Sequence, residues 1–228
     1  RVRATRGSAP SPLVVYGQAT LAEMSSLIDD AGPPPAQPAP PVAATGPVPL
    51  TVVQRGFWFT HRMRPEIPPV WTAQIPVSGP LDPSALQQAV DWLVNRHEIL
   101  QMRFGDHLFQ ERTTPSPVWI DQQDLSMWGQ ATQHQSLAER WRASVPMPLD
   151  GWPLMRVRVC RLATDRHHLF VTAHHIVADA WSAWILLTEL LAAHDAFARG
   201  RVPALPPAPA FSAHLPKEEE GSGGFWGG

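Results

Sequence analysis

The apolar and polar positions of this chain change rhythm along its length and divide it into four stretches. In residues 1–30, the segment Ala19 to Ile28 places Leu21, Met24, Leu27 and Ile28 on one side of a short helix and Glu23 on another. Residues 31–49 hold eight prolines among Ala, Gly and Val. Such a composition cannot pack a core and favours an extended, semi-rigid spacer, so a domain boundary is expected there. Residues 50–200 carry the patterns of a globular unit. Residues 201–228 return to Pro, Gly and Glu and read as a loose linker or tail.

Within 50–200 the periods alternate between helix and strand. Thr51 to Arg62 reads as a helix and Val70 to Val77 as a strand. Asp82-Pro83 opens a second helix, with Asp as N-cap and Pro in the first turn. Its apolar face is Leu86, Ala89, Val90, Leu93, His97 and Leu100; its polar face is Gln87, Asp91, Asn95, Arg96 and Glu98. Gln101 to Phe104 and Leu108 to Arg112 flank Gly105-Asp106 as a hairpin. Ser136 to Ala143 reads as a helix. Met155, Val157 and Val159 alternate with Arg156 and Arg158, a half-exposed strand. A turn at Ala163–Arg166 leads to a strand from His168 to His174. Ala180 to Ala198 is a long apolar helix stopped by Gly200, its breadth of apolar positions predicting burial on more than one side. The order gives an α+β class with a mixed, mostly antiparallel sheet flanked by helices, not a βαβ nucleotide fold. No Gly-rich phosphate loop is present.

Composition narrows the function classes. With 228 residues, 44% hydrophobic and a net charge of −2, there is room for one ordinary domain plus a tail. Positive charge is not bunched into runs, which argues against a nucleic-acid partner. No apolar run reaches membrane-spanning length. Cys160, the only cysteine, rules out an internal disulfide and fits a reducing cytoplasm; its strand-like setting reads as a buried small hydrophobe. Arg1-Val2-Arg3-Ala4 lacks an initiator Met and an apolar signal core, as expected of a piece of a longer chain.

The candidate chemistry gathers at His174-His175, at the end of an apolar strand. Neighbours on a strand point to opposite faces, so one ring should enter a cleft and the other should be packed and hydrogen-bonded. Asp179 stands near the start of the long helix, where it can cap that helix or pair with an arginine. A metal site needs three convergent ligands, which two opposed histidines do not supply. His167-His168, at a turn-to-strand entry, reads as surface. No Gly-x-Ser-x-Gly elbow exists, and Ser182 falls inside a helix, so a serine nucleophile is disfavoured.

His174-His175-Ile176-Val177-Ala178-Asp179-Ala180-Trp181 resembles the active-site motif of non-ribosomal peptide synthetase condensation domains and related carrier- or CoA-dependent acyltransferases. Two further segments agree in order and spacing. Thr51–Phe59 is similar to the first core motif of that family, and Arg96–Phe104 to the second. Pro153-Leu154-Met155-Arg156 resembles the entry to the motif-bearing hairpin. The similarity covers residues 48 to about 200, the N-terminal half of such a domain. Phe211-Ser212-Ala213-His214 is a weaker echo of the next motif. Leu13 to Met24 resembles the C-terminal end of an acyl or peptidyl carrier protein.

The resemblance implies a chloramphenicol-acetyltransferase-like lobe, one of a pair with the active site between them. It implies an acyltransferase that forms an amide between a carrier-bound acyl thioester and a carrier-bound amine. His175 is then the catalytic residue, with His174, Asp179 and Arg96 as supports and Asp179 expected to meet an arginine. No cofactor is bound directly; the phosphopantetheine arms of carrier domains upstream and downstream bring the substrates. The C-terminal lobe of the pair is missing, so this half-domain is expected to be inactive alone. An ester-forming relative, an epimerising relative and a catalytically silent recruiting fragment stay open. Two positions depart from the family pattern: Ala180 stands for a usual Gly, and Gln101 for a usual Arg. Ala is disfavoured at 180 only if that backbone needs a positive φ.

Overall fold

The computed structural model describes residues 46–143 and 146–215, all within one compact unit of the chain, Val42–Gly228. The carrier-like segment at 1–30 and most of the Pro-rich stretch lie outside the described residues.

The chain begins with a short strand, β1 (Val48–Pro49), and α1 (Val52–Met63). α1 starts at Thr51 because a capping box closes there. Thr51 Oγ1 accepts from Gln54 N–H at 3.1 Å, and Gln54 Oε1 accepts from Thr51 N–H at 3.0 Å. β2 (Val70–Ser78) and α2 (Pro83–Arg96) follow. Asp82 caps α2 by accepting from Ser84 and Ala85 N–H, with Pro83 in the first turn. A 3-10 turn (Glu98–Gln101) leads to the hairpin β3 (Met102–Phe104) and β4 (Phe109–Arg112). Then come β5 (Ile120–Asp124), α3 (Gln130–Arg142), β6 (Met155–Ala163), β7 (Arg166–His174) and α4 (Ala180–Ala198).

The strands form a three-stranded sheet, β1-β4-β3, and a four-stranded sheet, β2-β7-β6-β5. All pairs are antiparallel except β5–β6, which makes the class the expected mixed, mostly antiparallel α+β. The main core joins Val157, Val159, Leu169, Val171 and Ala173 of the larger sheet to Leu86, Val90 and Leu93 of α2 and to Leu186 and Leu190 of α4. On the other side of the strands, Cys160, Leu162 and Phe170 pack with Leu125 and with Leu137 of α3. Alternation along β6 and β7 thus feeds two cores from one sheet. Cys160 is fully buried there, and burial pushes its thiol pKa up, as befits an inert small hydrophobe.

Several expectations are corrected. α2 ends at Arg96, so His97 and Leu100 do not continue its apolar face. His97 closes the helix, and Leu100 is buried through the 3-10 turn instead. Glu98, expected on the polar face, is buried and accepts from Ser212 N–H at 2.7 Å and Oγ–H at 2.8 Å. α3 begins six residues before Ser136, at Gln130. β5 is polar at every position but Ile120 and carries no alternating apolar signal. α4 has the expected bounds and ends at Gly200, whose φ is +67°. It buries only one face, however: Leu186, Leu190 and Ala193 are covered, while Trp181 is 74% and Trp184 67% exposed. The segment after α4 is anchored rather than loose, through the Ser212–Glu98 bonds and a hydrogen bond from Arg96 to the Pro206 carbonyl.

Candidate active site

The motif loop leaves β7 at His174 and enters α4 at Ala180, and α1 lies beside it. Three residues on one stripe of α1, at i, i+3 and i+7, each meet one of three consecutive loop residues. Gln54 donates from Nε2 to the Ile176 carbonyl at 3.3 Å. The Phe57 ring stacks on the His175 imidazole with centroids 5.2 Å apart and planes 10° from parallel. His61 Nδ1 lies 3.2 Å from His174 Nε2. Gln54 is itself fixed by a reciprocal amide pair with the buried Gln110 of β4, at 3.0 and 2.9 Å. The far side of the loop is held by the Trp71 indole N–H, which donates to the Ala178 carbonyl, and by His175 N–H, which donates to the Pro69 carbonyl.

The two motif histidines divide as strand geometry requires. His174 is fully buried, and its Nδ1 accepts from Ile176 N–H at 3.0 Å. Burial, with the neighbouring His61 and His175, pushes its pKa down to about 3, so it is neutral at any ordinary pH. Burial also lowers His61. His175 is half-buried, and among the described residues neither of its ring nitrogens has a hydrogen-bond partner. One imidazole is therefore a packed strut and the other is free to meet a ligand.

Asp179 does not meet an arginine among the described residues. Its carboxylate caps α4 by accepting from Ser182 N–H at 2.8 Å, and that bond lowers its pKa. The helix begins directly after it, so the cap satisfies donors that no guanidinium could. Ala180 is the first residue of α4 and has no positive φ, so alanine in place of the usual glycine costs nothing there.

Arg96 does not reach the His175 side of the loop. It pairs with Glu189 of α4 at 2.8 Å, and the same carboxylate oxygen meets His97 Nε2 at 2.7 Å. The guanidinium also lies 5.1 Å over Trp92. Arg96 and Glu189 line a cavity of about 450 Å³ with Val177, Ser182, Leu205 and Pro207, behind the loop rather than at His175. Gln101 carries a network of its own. Its buried amide donates to the Val94 and Asn95 carbonyls at the end of α2 and accepts from Arg112 Nε. His167, expected on the surface, is 7% exposed, whereas His168 is half-buried and bonded to Gln74.

Gln54, Phe57 and His61 were not singled out as site residues from sequence. Their signal was the i, i+3, i+7 spacing within a helix identified only by its motif. No group of His, Cys, Asp or Glu suited to a metal is found among the described residues. Nor is any helix there long and apolar enough to cross a membrane.

A sequence model of the condensation domain family matches residues 44–224. This chain belongs to the condensation domain family. It is 32% identical over 216 residues to phosphinothricin tripeptide synthetase PhsB of Streptomyces viridochromogenes, covering 92% of this chain and 16% of that protein. It is 30% identical over 181 residues to the hybrid PKS-NRPS synthetase pynA of Aspergillus niger, covering 77% of this chain and 5% of that one. Among solved structures, the starter condensation domain of the rhizomide synthetase RzmA shares the fold, with a TM-score of 0.64 at 19% identity, over 72% of this chain and 40% of that one. The X-domain from teicoplanin biosynthesis, solved in complex with OxyB, matches with a TM-score of 0.67 at 28% identity, over 78% of this chain and 39% of that one. The condensation-family chain described here thus spans a small part of its curated relatives and about two fifths of the solved domains. The family match covers the α1-braced loop.

Proposed function

We propose that this lobe supplies the reacting imidazole of a condensation domain that joins two carrier-bound substrates through an amide bond. The observation that supports this is His175, half-buried, stacked on Phe57, and with both ring nitrogens unengaged among the described residues. A thioester is already activated, so no covalent enzyme intermediate is needed. The acceptor amine attacks the thioester carbon, the C–N bond forms, the C–S bond breaks, and the proton leaves nitrogen as the donor thiol is released. An imidazole nitrogen suits taking the proton from the attacking nitrogen. Stacked on Phe57, with its backbone N–H donating to the Pro69 carbonyl, His175 also orients that amine, so positioning carries much of the rate. His174 and Asp179 act on loop shape and helix start. The phosphopantetheine arms of upstream and downstream carrier domains bring both substrates, and a second lobe completes the enclosure, so the half-domain is inactive alone. The setting is the cytoplasm.

The test is amide formation by an intact condensation domain carrying this lobe, with acyl and aminoacyl carriers as substrates. His175→Ala is expected to abolish nearly all product. Undiminished turnover in that variant removes the assignment, and an ester product with an alcohol acceptor moves the domain to an ester-forming class.

A second reading has one observation in its favour, the match to an X-domain that was solved bound to another protein. In that reading the lobe recruits a partner and performs no chemistry. Carrier binding by the intact wild-type domain with no turnover would support it.

A further inference from the structure

The motif loop is tied to α1 by a run of hydrogen bonds whose direction is fixed. Ile176 N–H donates to His174 Nδ1 at 3.0 Å, so that nitrogen holds a lone pair and no proton. Neutral His174 then carries its proton on Nε2, 3.2 Å from His61 Nδ1. His61 Nδ1 must accept, and the His61 proton sits on Nε2. Charging either ring destroys the run. A His174 cation sets an N–H against the Ile176 N–H, and a His61 cation sets one against His174 Nε2–H. The groups whose charge acts on the pair are His175 on His174, and Arg62 and Asp150 on His61. His61 is 7% exposed and His174 fully buried, so water does not stand in for either partner.

From this geometry we infer that His61 is a positioning residue for His175, acting through the His174 tautomer it enforces. With Nε2–H committed to His61, Nδ1 of His174 is left to hold the Ile176 amide. That amide closes the backbone turn on which His175 sits, and the turn sets the imidazole against Phe57. The inference rests on His175 being the reacting group. Phe57 touches that ring directly, whereas His61 reaches it only through the loop.

The test has one arm that needs no catalysis. Nitrogen-15 NMR of the imidazoles in this chain at pH 7 is expected to show His174 and His61 neutral and protonated on Nε2. A His174 that is cationic, or protonated on Nδ1, overturns the inference. The second arm compares two variants in an intact condensation domain carrying this lobe. His61→Asn keeps a short acceptor where Nδ1 stood, and His61→Leu removes it. His61→Leu is expected to show mixed His174 tautomers and a kcat lower by about tenfold to a hundredfold at nearly unchanged KM. His61→Asn is expected to restore the tautomer and most of kcat. Wild-type kcat in His61→Leu, or equal losses in both variants, overturns it. Should His61→Leu fail to fold, the tautomer of the wild type and the kcat of His61→Asn still decide. A wild-type domain with the expected tautomers but no product strikes the reading of His175, not the hydrogen-bond run.

Discussion

Two histidine pairs stand seven residues apart along β7, His167-His168 near its start and His174-His175 where the chain leaves it. Each pair has one fully packed and one half-buried ring, because adjacent strand positions alternate. The odd separation sends His167 and His174 to opposite faces of the sheet. His174 meets α1, where its two nitrogens have one donor and one acceptor. The Nδ1 of His167, by contrast, has no partner among the described residues. Of the half-buried rings, His168 is bonded to Gln74 and His175 is unengaged and stacked on Phe57. Alternation alone therefore makes a buried histidine next to an accessible one. The helix across from the second pair turns that into a site.

The sharpest way to break this contrast is kinetic. In an intact condensation domain, His175→Ala should lower turnover by roughly 10²- to 10⁴-fold, the usual range for a lost proton-transfer group. His168→Ala should leave turnover within about twofold. Equal effects would erase the distinction between the pairs.

Stability separates the two packed rings. His174→Ala opens a cavity and strands the Ile176 N–H and His61, so urea denaturation of this chain should show a loss of about 3 kcal/mol. His167→Leu gives up a ring with an unpartnered nitrogen and should change stability by no more than about 1 kcal/mol.

Acid should act on the buried rings in one direction. The pKa of His174 is lowered to about 3, and burial also lowers His61 and His167. The unfolded chain therefore binds more protons than the folded one below the ordinary histidine pKa of 6.5. Stability is fully present above that value and falls as pH drops toward 3, at about 1.4 kcal/mol per unit for His174, with His61 and His167 adding to the fall in the same direction. Chemical denaturation at pH 7.5 and pH 5 should show this drop. His174→Ala should reduce the slope more than His168→Ala does.

The smallest effect belongs to the end of the loop. Asp179→Ala should cost about 1 kcal/mol as a lost N-cap, and Asp179→Ser should recover most of it. A carboxylate paired with a remote arginine would not be replaced by a hydroxyl, so rescue by Ser tests the capping role directly.

The regular elements were legible where local chemistry agreed with periodicity. The Asp82 cap and the stop at Gly200 set the ends of two helices, and alternation in β6 matched its burial. β5 was not legible, because a polar edge strand paired only with β6 has no apolar face to announce it. The site was legible at His174 and His175. It was not legible at Asp179, where two partners were chemically open and only the placement of α4 chose between them. Arg96 failed for a related reason. Its neighbour in space is Glu189, 93 residues away, which no spacing argument reaches. α4 misled through composition, since its apolar circumference does not say how much of it the lobe covers.

Gln101 joins regions that fold from different parts of the sequence. One amide closes the last carbonyls of α2 and grips Arg112 of the β3–β4 hairpin. β4 in turn holds Gln54 through Gln110. Fraying of the α2 terminus and opening of the hairpin are therefore one event, and their amides should exchange with solvent deuterium at a shared rate. Through Gln54, the carbonyl of Ile176 is wired to that same opening unit.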